Sequence, residues 1–116
     1  MDNSMATHSD TTGKLIRDGV SAIIATSGRT AEVKTLDDNA YRAALWEKLD
    51  EETAELRRAS NPTAVLEEAA DVLEALIGIA EARGYTLDDL LRTAAKKRAE
   101  RGGFCGRLWL RTGGTM

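Results

Sequence analysis

The sequence predicts a mainly α-helical domain: an antiparallel helical hairpin, further helices and a small two-stranded β element, in a bundle that oligomerisation completes. Ala, Leu, Glu and Arg dominate the 116 residues, and these residues favour helices. Apolar residues recur at helical spacing on both sides of one turn, Asn61-Pro62. The helices are too few to enclose a full core. Small residues on one face leave room for a ligand or a closely packed helix, so we expect a dimer whose two chains complete the bundle.

Length and composition limit the class of protein. A chain of 116 residues is enough for one domain. We expect a disordered leader, or residues added for expression, over 1–13, the folded domain over 14–111 and a flexible tail over 112–116. The chain has no apolar run of eighteen residues, which predicts no membrane span. A net charge of -3 does not indicate nucleic-acid binding, and the single cysteine favours a cytoplasmic location.

The N-terminal part of the domain predicts a short helix followed by a strand. Apolar residues at helical spacing in "GVSAIIATSG", with Gly28 as C-cap, predict a helix over about 18–27. The segment "TAEVKTLD" is rich in residues that favour β structure, and it predicts a strand over Glu32–Leu36.

Two long helices follow. The acids of "LDDN" can cap a helix that runs to about Ala59. Asn61 is a suitable N-cap for the next helix, with Pro62 at its first position. That helix is predicted to run to Arg83 and to stop at Gly84.

The C-terminal part predicts a further helix and a second strand. Thr86 can cap a helix that reaches about Arg101, where Gly102-Gly103 ends it. The segment "GRLWLR", residues 106–111, predicts a strand. We expect it to pair antiparallel with the first strand because neither would be stable alone.

Four carboxylates converge when the two long helices fold as a hairpin. Glu55 and Glu68 lie at equal distances from the midpoint of the Asn61-Pro62 turn, and so do Glu52 and Asp71. These four side chains therefore form a square about one helical turn tall. Glu52 also falls on the apolar stripe of its helix, where a charge is costly to bury.

Charge repulsion makes this square unfavourable without a partner. Glu51–Glu55 and Glu67–Asp71 are like-charge pairs four residues apart, each costing roughly 0.2–0.5 kcal/mol. Four oxygen donors around one point suit a hard divalent cation, Mg²⁺ or Mn²⁺, which would turn repulsion into coordination. The alternatives are a solvated acidic face, or salt bridges with nearby arginines or a partner chain.

The acid spacing resembles a known signature. Glu52-x-x-Glu55, then twelve residues, then Glu68-x-x-Asp71 resembles the ExxE…ExxD pattern of the MazG-like all-α nucleotide pyrophosphohydrolase superfamily. The segments "KLIRD", "VKTLDD", "LDEETAEL", "LEEAADVLEAL" and "KKRAERGGF" follow in the order of its phosphoribosyl-ATP pyrophosphohydrolase-like branch. The resemblance covers nearly everything from residue 14 to residue 110.

One segment departs from the pattern of this branch. Relatives often have "RDKIPEII" where this chain has "RDGVSAII", so Gly19 and Ser21 replace a Lys and a Pro. If that Lys touches phosphate in relatives, the contact is absent here, which bears on the choice of substrate.

The resemblance implies an enzyme that uses Mg²⁺, with Mn²⁺ as an alternative, to cleave the α–β phosphoanhydride of a nucleoside triphosphate or related nucleotide. The products would be a monophosphate and pyrophosphate, and one expected role is the removal of non-standard or damaged nucleotides. It also implies an assembly of identical chains, a homodimer or a homotetramer. The metal ligands carried over by position are Glu52, Glu55, Glu68 and Asp71. The catalytic candidates are Glu51, as the base that orients water, and the ligand Glu52.

Two other functions remain open at this point. One is the step of histidine biosynthesis that acts on phosphoribosyl-ATP itself. The other is a non-catalytic helical dimerisation or regulatory module, in which the acids would hold a structural metal.

Cations are needed to bind the phosphates of such a substrate, because a triphosphate carries several negative charges. Lys97, Arg98 and Arg101 at the end of the last helix are candidates, since Arg suits bidentate phosphate binding. Their alternative role is to interact with the negative end of the helix dipole. Lys14 and Arg17 form a second candidate group, and otherwise are surface charge.

Overall fold

A computed structural model describes residues 13–111 and residue 113. The predicted leader and tail otherwise lie outside the described residues. Four helices are present in the described part: α1 (Asp18–Thr26), α2 (Asp38–Arg58), α3 (Pro62–Glu81) and α4 (Leu87–Arg101). The mainly α-helical class is confirmed, and each predicted helix lies within two residues of its expected bounds.

Capping side chains explain where three of the helices begin. Asp37 and Asn61 each accept a hydrogen bond of 2.9 Å from the backbone N–H three residues later. Thr86 and Asp89 form a reciprocal capping box at the start of α4. These side chains satisfy N–H groups that have no partner within the helix, so local sequence is enough to place the helix starts.

The predicted β element is wrong for the part of the chain that is described. Neither Glu32–Leu36 nor residues 106–111 form a strand, and both segments are irregular. Their apolar side chains are exposed: Val33 is 54% exposed and Trp109 is 91% exposed. β propensity takes effect only when side chains pack against neighbours, and an isolated pair of strands is marginal in water.

The close approach of α2 and α3 forms the buried core. Leu45 on α2 is buried, as are Ala75 and Gly78 on α3. A Cβ atom on Gly78 would lie 2.7 Å from Cδ2 of Leu45, so the two helices approach closely at a position without a side chain. At Gly78 the missing side chain therefore accommodates a packed helix, which is one of the two predicted uses of the small residues.

The hairpin is the central element of the described chain. Among the described helices, α3 packs against both α2 and α4, whereas α1 packs against none of them. No residue of α1 is buried. None of the helices in the described ranges is long and apolar enough to cross a membrane. The four acids predicted to bind metal lie on α2 and α3, the two helices that pack together most extensively.

Candidate metal and nucleotide site

Three of the four predicted metal ligands come together across the hairpin. One carboxylate oxygen from each of Glu52, Glu68 and Asp71 lies within 4.8 Å of the other two. All three residues are partly buried. We call this group the three-acid cluster. It forms because the turn at Asn61-Pro62 brings a position on α2 level with positions on α3.

Glu55, the fourth predicted ligand, lies outside the three-acid cluster. Its Oε2 atom is 2.9 Å from Nη2 of Arg58, three residues later on the same helix. Both side chains are substantially exposed, at 45% and 66%. A salt bridge with a nearby arginine is therefore what this acid forms in the structure.

The electrostatic cost of the cluster appears at Glu68. Partial burial raises the pKa of this carboxyl, and negative charges nearby raise it further, namely those of Asp71, Glu55, Glu52 and Glu67. Burial and like charges both disfavour the ionised form of a carboxyl group. Gathering these carboxylates therefore costs free energy, which a bound cation would offset.

Two cations of the chain neutralise part of this charge. Nη2 of Arg17 lies 2.6 Å from Oδ1 of Asp71. On α2, Nζ of Lys48 lies 3.5 Å from Oε2 of Glu52 and 3.2 Å from Oε1 of Glu51. The Lys48 pairs follow from helical spacing. Sequence reasoning missed the Arg17–Asp71 pair, because its partners are 54 positions apart and no periodic pattern connects them.

Glu51, the predicted base, lies beside the cluster and not within it. Its side chain is 43% exposed and is held by Lys48. Glu51, Lys48 and Lys14 line a cleft of ≈ 270 Å³ between the N-terminal segment and α2. One predicted phosphate-binding residue, Lys14, therefore lies near the predicted base.

The cations of α4 remain separate from the acids. Lys97, Arg98 and Arg101 are exposed in the last turns of this helix. None of the three forms an ion pair with the three-acid cluster within the described ranges. Their role in binding phosphate remains a prediction.

The donor set of the cluster fits a hard divalent cation. Such ions bind oxygen at about 2.0–2.6 Å, so two oxygens that share one ion lie roughly 3–5 Å apart. The three oxygens already lie within 4.8 Å of one another, so only small side-chain movements would bring them onto one ion. A set made of carboxylates alone favours Mg²⁺ or Mn²⁺ over metals that prefer nitrogen or sulfur.

Comparison with known proteins identifies the family. The sequence model of the phosphoribosyl-ATP pyrophosphohydrolase family matches residues 24–98. The chain belongs to this family. It is thereby a member of the MazG-like all-α nucleotide pyrophosphohydrolase superfamily, and the resemblance drawn from the acid spacing is confirmed. The family match includes the three-acid cluster and Glu51, whereas Arg17 precedes it.

One relative is similar to the chain over part of its length. An uncharacterized protein of Mycolicibacterium smegmatis (strain ATCC 700084 / mc(2)155) is 52% identical over 54 residues, which cover 47% of this chain and 55% of that protein. The chain thus matches about half the length of this relative. No solved structure matches the chain.

Proposed function

We propose that this family member is a Mg²⁺-dependent nucleotide pyrophosphohydrolase that cleaves the α–β phosphoanhydride of a nucleoside triphosphate. Membership of the family supports pyrophosphohydrolase chemistry. The observation that carries the metal dependence is the three-acid cluster, whose oxygens lie within 4.8 Å of one another.

The acids would divide the work of the site. Glu52, Glu68 and Asp71 hold the cation, and Glu55 joins them when it leaves Arg58. When bound, the metal would neutralise phosphate charge and lower the pKa of the attacking water. The three carboxylates would hold the cation in a fixed position, because the two helices that carry them, α2 and α3, pack closely at Leu45 and Gly78.

Glu51 is the proposed base. Its oxygens are not part of the three-acid cluster, so they remain available to orient a water and accept its proton. Lys48 beside it holds the carboxylate in place. Lys14 and Arg17, with Lys97, Arg98 and Arg101 of α4, are the proposed contacts to the outer phosphates.

The direct test is pyrophosphate release from a panel of standard and modified nucleoside triphosphates. We expect at least one to yield its monophosphate and pyrophosphate with Mg²⁺, and EDTA to abolish the reaction. If no nucleotide is cleaved while Mg²⁺ still raises the melting temperature, the acids hold a structural metal and the non-catalytic module is correct.

The family description favours a second substrate, phosphoribosyl-ATP, for the same chemistry. Both candidates contain an α–β phosphoanhydride, so the three-acid cluster does not separate them. Including phosphoribosyl-ATP in the panel does. A kcat/KM at least tenfold above that for every nucleoside triphosphate would assign the histidine-pathway step.

The assembly proposed to complete the bundle is a pair of identical chains. Leu66 is 72% exposed and Leu73 is 42% exposed, although both are large and apolar. They lie seven residues apart on α3, the spacing of a helix–helix seam. Leu66 also lines an apolar cleft of ≈ 540 Å³ beside the hairpin turn. The same stripe on two copies would be self-complementary about a two-fold axis.

Leu66→Glu is expected to weaken this association at least tenfold, because it places a charge within the proposed apolar seam. Sedimentation velocity over a range of concentrations measures the effect. The matched control is Val33→Glu, at an exposed position outside the stripe. A wild-type chain that stays monomeric, or a Leu66→Glu variant that associates as the wild type does, contradicts the proposal.

A further inference from the structure

The ion pair between Arg17 and Asp71 occupies a residue that the proposed function assigns to metal binding. Arg17 is the N-cap residue of α1, and its side chain makes no capping hydrogen bond. Its guanidinium instead lies 2.6 Å from Oδ1 of Asp71 on α3. A cation of the chain thus occupies part of the position where a metal ion would bind.

The two cations near the cluster differ in their attachment. Lys48 lies on α2 together with its partners, and its side chain is only 20% exposed. The side chain of Arg17 is 54% exposed, and it belongs to the start of α1, which packs against no other described helix. Arg17 can therefore move away without disturbing the hairpin, whereas Lys48 has less freedom.

Charge decides which cation stays on Asp71. A divalent ion held by the three-acid cluster would lie within a few ångströms of the guanidinium, and like charges at that distance repel strongly when partly shielded from water. The phosphates of a substrate that binds the same ion carry several negative charges, and a guanidinium binds phosphate bidentately.

We propose that Arg17 is a positioning residue that exchanges partners: it pairs with Asp71 in the metal-free chain and turns to the substrate phosphates when the divalent cation takes Asp71. This inference rests on the proposed function. The exchange makes metal binding weaker without nucleotide and stronger with it, since each ligand favours the same arrangement of Arg17.

The test is Mn²⁺ affinity, measured on the full chain by calorimetry without nucleotide. Arg17→Gln is expected to tighten Mn²⁺ binding about three- to tenfold, because it removes a competing charge from Asp71. Arg17→Lys keeps the charge and should stay close to the wild type. Arg92→Gln is the matched control: Arg92 pairs with Asp88 and Asp89 on α4, away from the three-acid cluster.

A second readout is turnover of the nucleotide that the panel identifies. Arg17→Gln should raise KM more than it lowers kcat, and Arg92→Gln should change neither. A misfolded variant could also lose activity, but it would not bind Mn²⁺ more tightly, so the affinity measurement shows whether Arg17→Gln acts through Asp71.

The outcomes separate the two proposals. If the wild type binds Mn²⁺ and Arg17→Gln binds it equally or more weakly, the partner exchange is wrong and the proposed function stands. If the wild type binds no Mn²⁺ without nucleotide and releases no pyrophosphate from any nucleotide of the panel, the proposed function fails, and the exchange fails with it.

Discussion

Glu52→Gln is expected to lower kcat/KM for Mg²⁺-dependent pyrophosphate release at least about a hundredfold. The amide keeps the shape of the side chain but removes the negative charge that would hold the cation, and losing one group that stabilises developing charge typically costs this much. The side chain of Glu52 is only 15% exposed, so water would have little access to take the place of the carboxylate as a ligand of the cation. Pyrophosphate release at saturating Mg²⁺, with circular dichroism to verify folding, measures the effect.

The matched control for this substitution is Glu74→Gln. Glu74 is an exposed acid on α3 outside the three-acid cluster. Its loss removes the same net charge from the chain, and we expect activity within about twofold of the wild type. If Glu52→Gln and Asp71→Asn both release pyrophosphate at the wild-type rate, these acids are not the site.

Leu45→Ala is expected to lower the free energy of unfolding by about 2–4 kcal/mol, the usual cost of truncating a buried leucine. Leu45 is 4% exposed and contacts the position where α3 carries Gly78 instead of a side chain. The other buried apolar side chains in the described ranges are two alanines, Ala44 and Ala75. Few other buried contacts would therefore stabilise the hairpin after Leu45 is truncated. Urea denaturation followed by circular dichroism, at fixed protein concentration, measures the change.

Ile23→Ala provides the control for this prediction. Ile23 is 63% exposed on α1, which packs against no other described helix, so its truncation should cost less than about 0.5 kcal/mol. Equal destabilisation by the two variants would show that the core does not centre on the contact between Leu45 and Gly78.

Local rules predicted the helices, and hairpin symmetry predicted which acids approach each other. The starts of three helices could be predicted from their N-cap residues, Asp37, Asn61 and Thr86, because capping depends on neighbours in sequence. An antiparallel pair with a short turn has one register, so Glu52 and Asp71 could be placed level without knowing the rest of the fold.

The misses have a different physical origin. The two segments expected to form strands required packing that propensity alone does not supply. The pairing of Glu55 with Arg58 is a choice among rotamers that spacing does not decide, and the role of Glu55 as a metal ligand stays a prediction. The Arg17–Asp71 pair depends on where α1 sits, which no local pattern determines.

The short connection between α2 and α3 has a consequence for how the protein matures. All the proposed ligands lie between Glu52 and Asp71, on two helices joined by a three-residue link. Contacts this near in sequence form early and quickly, before α4 is required. The carboxylates would therefore crowd together while the chain is still being completed. Because a bound ion favours whichever state binds it, the supply of divalent cation during synthesis would influence how readily this hairpin closes.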